Sequence, residues 1–126
     1  MNIKLSKIAS LLSLDLIGTD TNIYNLSIDS REVKKGDFFV AIEGIKFDGH
    51  DYIEESISKG ACAILCNDRF DVSKINVPYI VCKDTLKSLA DFASGYRKII
   101  GSPLTIGITG TNGKTTVTQL TTAILK

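Results

Sequence analysis

The sequence predicts an α/β fold with a small mixed sheet, followed by the start of a second α/β unit. Short apolar segments of strand length alternate with amphipathic segments of helical spacing over the first 100 residues, a pattern typical of α/β proteins. A further apolar segment, 104–109, then runs into a glycine-rich turn and a second helical segment. We therefore expect one domain over residues 1–101 and the beginning of another over residues 102–126, with the break at Gly101-Ser102-Pro103.

The first 42 residues predict one helix and two strands. Apolar residues recur at helical spacing over residues 4–12, which indicates a short amphipathic helix. Tyr24–Ile28 alternates apolar and polar residues and reads as a strand. After a turn at Lys34–Asp37, the continuous apolar run Phe38–Ile42 predicts a strand that is buried on both faces.

The next segments continue the alternation of helix and strand. Asp51 stands three residues before Glu54, the spacing of a capping pair, so a helix is predicted to begin there and to end at Gly60. Ala61–Cys66 and Tyr79–Cys82 are predicted as buried strands. Asp84 is then placed to cap a long helix. The residues expected on its buried face are Leu86, Leu89, Ala90, Ala93 and Tyr96.

Composition excludes several classes of protein. The net charge of +1 gives no electrostatic attraction to nucleic acid. The apolar stretch 8–14 is too short for a membrane span and carries no cleavage site of a signal peptide, so no membrane insertion and a cytoplasmic location are expected. Three cysteines without CxxC spacing and the single histidine, His50, argue against a disulfide framework or a zinc site, so buried reduced thiols are expected.

The strongest functional signal is a phosphate-binding loop at residues 109–115. Gly110 and Gly113 let consecutive backbone N–H groups face phosphate oxygens, and the following helix adds its positive end. Lys114 supplies a cation for the outer phosphates, and the Thr115 hydroxyl can bind Mg²⁺. The loop is more compact than the general GxxxxGK[ST] pattern, because position 108 is isoleucine. The residues expected to bind ATP are Thr109, Gly110, Thr111, Asn112, Gly113, Lys114 and Thr115.

The stretch TIGITGTNGKTTVTQLTTAIL resembles the ATP loop of the Mur ligase family. Upstream, SIDSREVKKGDFFVAIEG and FDGHDYIEESISKGACAIL are similar to the N-terminal domain of the members that act late in peptidoglycan synthesis. The resemblance covers nearly the whole chain, with both blocks in the family's order. It implies a UDP-muramyl-peptide-binding domain followed by the first strand, P-loop and helix of a truncated P-loop ATPase domain.

Family membership implies an ATP- and Mg²⁺-dependent ligase that forms an amide through an acyl phosphate. Two members share this N-terminal pattern: one adds D-alanyl-D-alanine to a UDP-N-acetylmuramoyl tripeptide, and the other adds the third residue, diaminopimelate or lysine. The segment KDTLKSLADFASGYRKIIGSPLTIGITG is more similar to the first. The 126 residues include no later acidic residue for Mg²⁺ and no acceptor domain, so we expect an inactive fragment of such a ligase, with no complete catalytic set.

The resemblance also implies which residues meet the uridine end of the substrate. Asp29-Ser30-Arg31 matches a family motif whose hydroxyl residue lies there, and the stretch just before Asp48-Gly49-His50 lines the same site. The residues assigned to this end are Ser30, Arg31, Lys46, Phe47 and Asp48.

Each assignment has a structural alternative. Arg31 and Asp29 can form an ion pair that only fixes the loop, and Asp48 can bond its own backbone in a turn. Phe47 can belong to the core, His50 can be structural, and Glu54-Glu55 can be a solvated helix face. Two other classes stay open: a stand-alone nucleotide-binding module without chemistry, and a small P-loop kinase or GTPase. The second is disfavoured because about 105 residues precede the loop.

Overall fold

The computed structural model describes residues 1–100, which form a central sheet covered on both faces. Three predicted elements lie outside the described residues: the strand at 104–109, the phosphate loop and the last helix. The helices are α1 (Leu5–Leu12), α2 (Ile53–Ser58) and α3 (Thr85–Ile100), with short 3₁₀ turns at Gly49–Tyr52 and Val72–Lys74. The strands are β1 (Ile3–Lys4), β2 (Leu16–Ile17), β3 (Asn22–Ile23), β4 (Asn25–Ser27), β5 (Asp37–Val40), β6 (Ala63–Asn67) and β7 (Tyr79–Cys82).

The central sheet has five strands in the order β2-β7-β6-β5-β4. Strands β4 to β7 are parallel in chain order, and β2 pairs antiparallel with β7 at one edge, so the sheet is mixed as predicted. A separate two-stranded ladder joins β1 to β3. Because β4 to β7 are parallel neighbours, the loops that follow them all leave from the border of the sheet where these strands have their carboxyl ends. We call this border the carboxyl edge.

Alternate residues of the central strands feed two cores on opposite faces of the sheet. In β5, Phe38 and Val40 pack with α1 and α3, whereas Phe39 belongs to the core formed with α2. Both phenylalanine side chains are fully buried. The connections between the parallel strands lie on the face of the sheet that carries Phe39. They include α2 and residues such as Val33 and Val72. The continuous apolar run in β5 therefore reflects burial on both faces, as predicted.

Two predictions about helices are wrong. Asp51 does not cap α2: it lies inside the 3₁₀ turn Gly49–Tyr52, which Asp48 caps by accepting from the His50 N–H at 3.0 Å. The 3₁₀ turn begins at Gly49, where the chain passes so close to Ile42 that a Cβ would lie 2.7 Å from the Ile42 nitrogen. Gly60 ends α2 as predicted, with φ +109°.

The buried face of α3 is rotated from the predicted one. Asp84 caps the helix as expected, since its Oδ1 accepts from the Lys87 N–H at 3.1 Å. Leu86 and Ala90, however, are exposed, and Phe92 is fully buried. The buried residues are Thr85, Ser88, Leu89, Phe92 and Ala93. Packing selects the stripe centred on Leu89 and Phe92, because the aromatic ring buries more apolar area than a leucine and an alanine at the helix edge.

Candidate functional site

The loop after β4 is organised around Asp29. Its Oδ1 accepts from the backbone N–H and from Nε of Arg31 at 2.9 and 3.0 Å, and its Oδ2 accepts from Nη2 of Arg31 at 2.8 Å. These hydrogen bonds, with the charge of the carboxylate, raise the pKa of Arg31. The predicted ion pair is therefore present, and the Arg31 side chain is still 82% exposed. An exposed pair of this kind contributes little to stability, so its main effect is to shape the loop.

Ser30 is held by its backbone rather than by its side chain. The residue is only 7% exposed, and its carbonyl accepts from Nζ of Lys59 at 2.9 Å. Lys59 also pairs with Glu55 at 2.9 Å and so links the end of α2 to this loop. Within residues 1–100 the Ser30 hydroxyl makes no hydrogen bond. A hydroxyl on a fixed, mostly buried residue is available to a ligand without first breaking a bond inside the protein.

The loop after β5 presents an apolar tip to solvent. Its arms meet at a bridge between Glu43 and Asp48, and the Gly44 N–H donates to the Phe47 carbonyl at 2.8 Å. Ile45 is fully exposed and Phe47 is 71% exposed, so Phe47 is not part of the core. Lys46 between them is exposed as well. The tip thus offers apolar side chains and a positive charge to a ligand.

His50 connects this loop to the end of β6. Its Nδ1 lies 2.6 Å from Oδ1 of Asp48, and its Nε2 accepts from the Asn67 N–H at 2.9 Å. Partial burial acts to raise the pKa of Asp48, but hydrogen bonds from the backbone N–H and ring of His50, together with the charge of Arg69, lower it overall. Asp48 thus caps the turn, and both ring nitrogens of His50 have structural partners, as the structural alternatives for these two residues predicted.

Several contacts of this region were not predicted. The Arg69 side chain forms an ion pair with Glu43, and the Arg69 backbone N–H donates to Oδ1 of Asn67 at 3.1 Å. Lys59 was also missed, although it holds the Ser30 carbonyl. No sequence pattern marks these residues, because their partners are 26 or 29 positions away along the chain. The predicted solvated face at Glu54-Glu55 is exposed, as expected.

The loops after β4 and β5 leave the same edge of the sheet, so the fold brings Ser30 and Arg31 to the side of the sheet that also carries the Lys46–Asp48 segment. The ATP-loop residues Thr109–Thr115, including the proposed Mg²⁺ ligand Thr115, lie outside the described residues. A separate open groove of about 450 Å³ runs between α1 and α3 and includes none of the candidate residues.

Neither a metal-binding cluster nor a membrane-spanning helix is found in residues 1–100. No group of three or more His, Cys, Asp or Glu side chains in residues 1–100 is arranged to hold a metal ion. In the same residues, none of the helices combines the length and apolar character needed to span a membrane.

Together these features define an α/β domain with a candidate ligand site at the carboxyl edge of its parallel strands. The sequence model described as "Mur ligase family, catalytic domain" matches residues 22–97, more than half of the chain. The chain therefore belongs to the Mur ligase family.

Curated relatives of two specificities are similar to the chain. A UDP-N-acetylmuramoyl-tripeptide–D-alanyl-D-alanine ligase from Haemophilus influenzae is 37% identical over 127 residues, which cover 98% of this chain and 27% of the relative. A UDP-N-acetylmuramoyl-L-alanyl-D-glutamate–2,6-diaminopimelate ligase from Aquifex aeolicus is 43% identical over 121 residues, covering 93% of this chain and 24% of the relative. The chain thus spans about a quarter of the length of these relatives.

Solved structures share the fold. MurF from Acinetobacter baumannii superposes with a TM-score of 0.70 at 19% identity, covering 79% of this chain and 22% of that chain. MurF ligase from Thermotoga maritima in complex with ADP is 33% identical, with a TM-score of 0.53 over 60% of this chain and 17% of that one. The first likeness establishes the fold alone.

Proposed function

We propose that this chain is the N-terminal portion of an ATP-dependent peptidoglycan-precursor ligase that adds D-alanyl-D-alanine to a UDP-N-acetylmuramoyl tripeptide. One observation carries the proposal: a mostly buried serine and an exposed apolar loop tip follow neighbouring parallel strands at one edge of the sheet, and the serine hydroxyl has no partner within residues 1–100. The D-alanyl-D-alanine specificity is supported by the Haemophilus relative and by the MurF name of the Thermotoga structure, which is 33% identical.

The side chains of the two loops suit the uridine end of such a substrate. The Ser30 hydroxyl can donate or accept one hydrogen bond, which fits a uracil or ribose edge. The exposed Phe47 ring offers a flat apolar surface on which a base can stack. Lys46, which is exposed beside it, supplies a positive charge for a diphosphate. Arg31 still has N–H groups beyond the two that bind Asp29, so it can also reach an anionic or carbonyl group.

The second half of the proposal concerns ATP and rests on the sequence of residues 109–115. There Lys114 would meet the outer phosphates and Thr115 would bind the Mg²⁺ that accompanies ATP. ATP converts the peptide carboxylate into an acyl phosphate, because a carboxylate oxygen is a poor leaving group until it is phosphorylated. The amine of D-alanyl-D-alanine then forms the amide and releases phosphate. The ADP named with the Thermotoga structure supports this use of ATP.

A second specificity is kept because one observation favours it. The Aquifex relative, at 43% identity, is named for addition of 2,6-diaminopimelate, so the same N-terminal architecture serves both reactions. A ligase that contains this chain can be assayed with both pairs of substrates, and phosphate release identifies the pair used. If no phosphate is released with either pair, a nucleotide-binding module without chemistry is favoured. We place the reaction in the cytoplasm, which agrees with three free thiols.

The uridine site is tested by Ser30→Ala. Loss of one hydrogen bond is worth about 0.5–1.5 kcal/mol, so the variant should bind a uridine diphosphate sugar several-fold more weakly in calorimetric titration. Its melting temperature should stay close to that of the wild type, because the hydroxyl has no partner in residues 1–100. Ser58→Ala is the matched control, since its hydroxyl bonds only the Glu55 carbonyl of its own helix. Unchanged affinity in Ser30→Ala would contradict the assignment.

A further inference from the structure

Asp48, His50 and the Asn67 N–H form a hydrogen-bonded chain at the base of the exposed loop tip. His50 is 7% exposed, and both ring nitrogens have partners, at 2.6 Å to Asp48 and 2.9 Å to the Asn67 N–H. A backbone N–H can only donate, so Nε2 must be the acceptor and carry no proton. Nδ1 therefore bears the ring proton and donates it to Oδ1 of Asp48. This is a defined tautomer with a separate task for each nitrogen.

Both arms of the loop are fastened to the segment that follows β6. The outgoing arm is held through Glu43, which pairs with Arg69. The returning arm is held through Asp48 and His50, whose ring also packs against Phe70 with a centroid distance of 5.8 Å. The arms are also joined to each other by two backbone hydrogen bonds, from the Gly44 N–H to the Phe47 carbonyl at 2.8 Å and from the Gly49 N–H to the Ile42 carbonyl at 2.7 Å. The exposed tip residues make no contribution to the core, so the arms must hold the tip in place.

We propose that His50 is a positioning residue for the proposed uridine site: it fixes the arm ending at Asp48 against β6, so that the tip 45–47 is ordered before the ligand arrives. The inference rests on the function proposed above. A loop that is already ordered saves the ligand the entropic cost of ordering it, which appears directly as affinity. His50 does not touch the ligand in this proposal and acts only through Asp48 and the loop.

The test uses His50→Gln in the same chain, with uridine diphosphate as the probe. The glutamine amide oxygen can replace Nε2 as the acceptor for the Asn67 N–H, so the buried donor keeps a partner and the domain should fold. The variant no longer has the Nδ1–H group that donates to Asp48. We expect amides 43–49 to exchange hydrogen faster, amides of Leu65 and Ile80 to stay protected, and the affinity for uridine diphosphate to fall about tenfold, since a bond to a carboxylate is lost.

Ser56→Ala is the matched control for lost stability. Ser56 is fully buried on the same side of the sheet, and its hydroxyl donates to the Tyr52 carbonyl at 2.9 Å, so the variant also loses one buried hydrogen bond. It should leave loop exchange and affinity unchanged. Should His50→Gln fail to fold, Asp48→Ala removes the same bond and the cap on the His50 N–H. Faster exchange of amides 43–49 is then the readout, because Asp48 is itself assigned to the uridine end.

Three outcomes would overturn the inference. If wild type binds uridine diphosphate and His50→Gln binds equally well with a protected loop, His50 is only structural and the proposed function stands. If Ser56→Ala loses as much affinity as His50→Gln, the loss reflects general stability. If wild type does not bind the probe at all, the proposed uridine site fails and this inference fails with it.

Discussion

Cys66 and Cys82 show how burial on a two-sided sheet sets the chemistry of single residues. They belong to neighbouring strands, but Cys66 points into the core with α2 and Cys82 into the core with α1 and α3. A disulfide between them is excluded because the side chains leave opposite faces of the sheet. Burial, with a smaller effect of Cys82, raises the pKa of the Cys66 thiol to about 11. Cys66 and Cys82 are buried as predicted, whereas Cys62 is only partly buried.

This burial predicts an order of thiol reactivity. Near pH 8 a thiol with a pKa of about 11 is roughly 0.1% thiolate, so iodoacetamide should leave Cys66 unmodified in the folded protein. Cys62, which is partly accessible, should react first, although burial raises its pKa as well. Peptide mass spectrometry after timed labelling measures the order, with a urea-unfolded sample as the control in which all three react alike. Rapid labelling of Cys66 in the folded protein would contradict the burial.

At the scale of elements, two glycine turns set the lengths of α2 and of the connection into β5. Gly36 and Gly60 both have positive φ, +90° and +109°, and the Gly36 N–H donates to the Gly60 carbonyl at 2.8 Å. They differ in their surroundings. A Cβ on Gly60 would lie 2.7 Å from the Cα of Lys35, whereas a Cβ on Gly36 would meet nothing within 4 Å. The pair therefore separates backbone strain from steric contact.

Gly36→Ala should lower the free energy of unfolding by about 1–2 kcal/mol, the cost of placing alanine at positive φ. Gly60→Ala should cost about 3–4 kcal/mol, because the same strain is joined by a contact with backbone that has little freedom to move. Urea denaturation of the two variants beside wild type measures both. Equal losses would mean that the Lys35 backbone shifts easily and that the close approach at Gly60 is unimportant.

At the scale of the whole molecule, the parallel order β4 to β7 concentrates the candidate uridine residues at one sheet edge, whereas the phosphate loop follows the predicted break at residues 101–103. In the proposed ligase the two ligands are therefore bound by different units, and removing one site should spare the other. The chain contains a lysine suited to this test at position 114.

Lys114→Ala, made in a ligase that contains this chain, should abolish ATP-dependent amide formation. The reason is that phosphoryl transfer depends chiefly on positioning and on cations that stabilise the developing charge. Uridine-nucleotide binding should change little, since Ser30 and the loop tip belong to the first unit. Phosphate-release assays paired with uridine-nucleotide titration separate the two effects. Turnover at the wild-type rate would refute the phosphate-loop interpretation.

The sequence by itself determined the fold class, the major strands and the family. Continuous apolar runs such as 38–42 and 79–82, punctuated by Gly60 and Pro78, leave few alternatives to buried parallel strands. The strands β1, β2 and β3 were missed because two residues are too few to display a period. They form through contacts that are distant in sequence: β2 pairs with the longer strand β7, and β1 pairs with β3.

Only the tertiary structure decided how the candidate site is held. Sequence reasoning selected Ser30 and the Lys46–Asp48 segment, but it placed Asp51 as the helix cap and gave no sign that Lys59 and Arg69 fasten the two loops. It also left Phe47 open between core and surface, and the structure exposes it. The physical reason is the distance along the chain between the residues in contact. A cap or a strand depends on neighbouring residues, whereas contacts between residues 26 or 29 positions apart exist only after the sheet has brought them together.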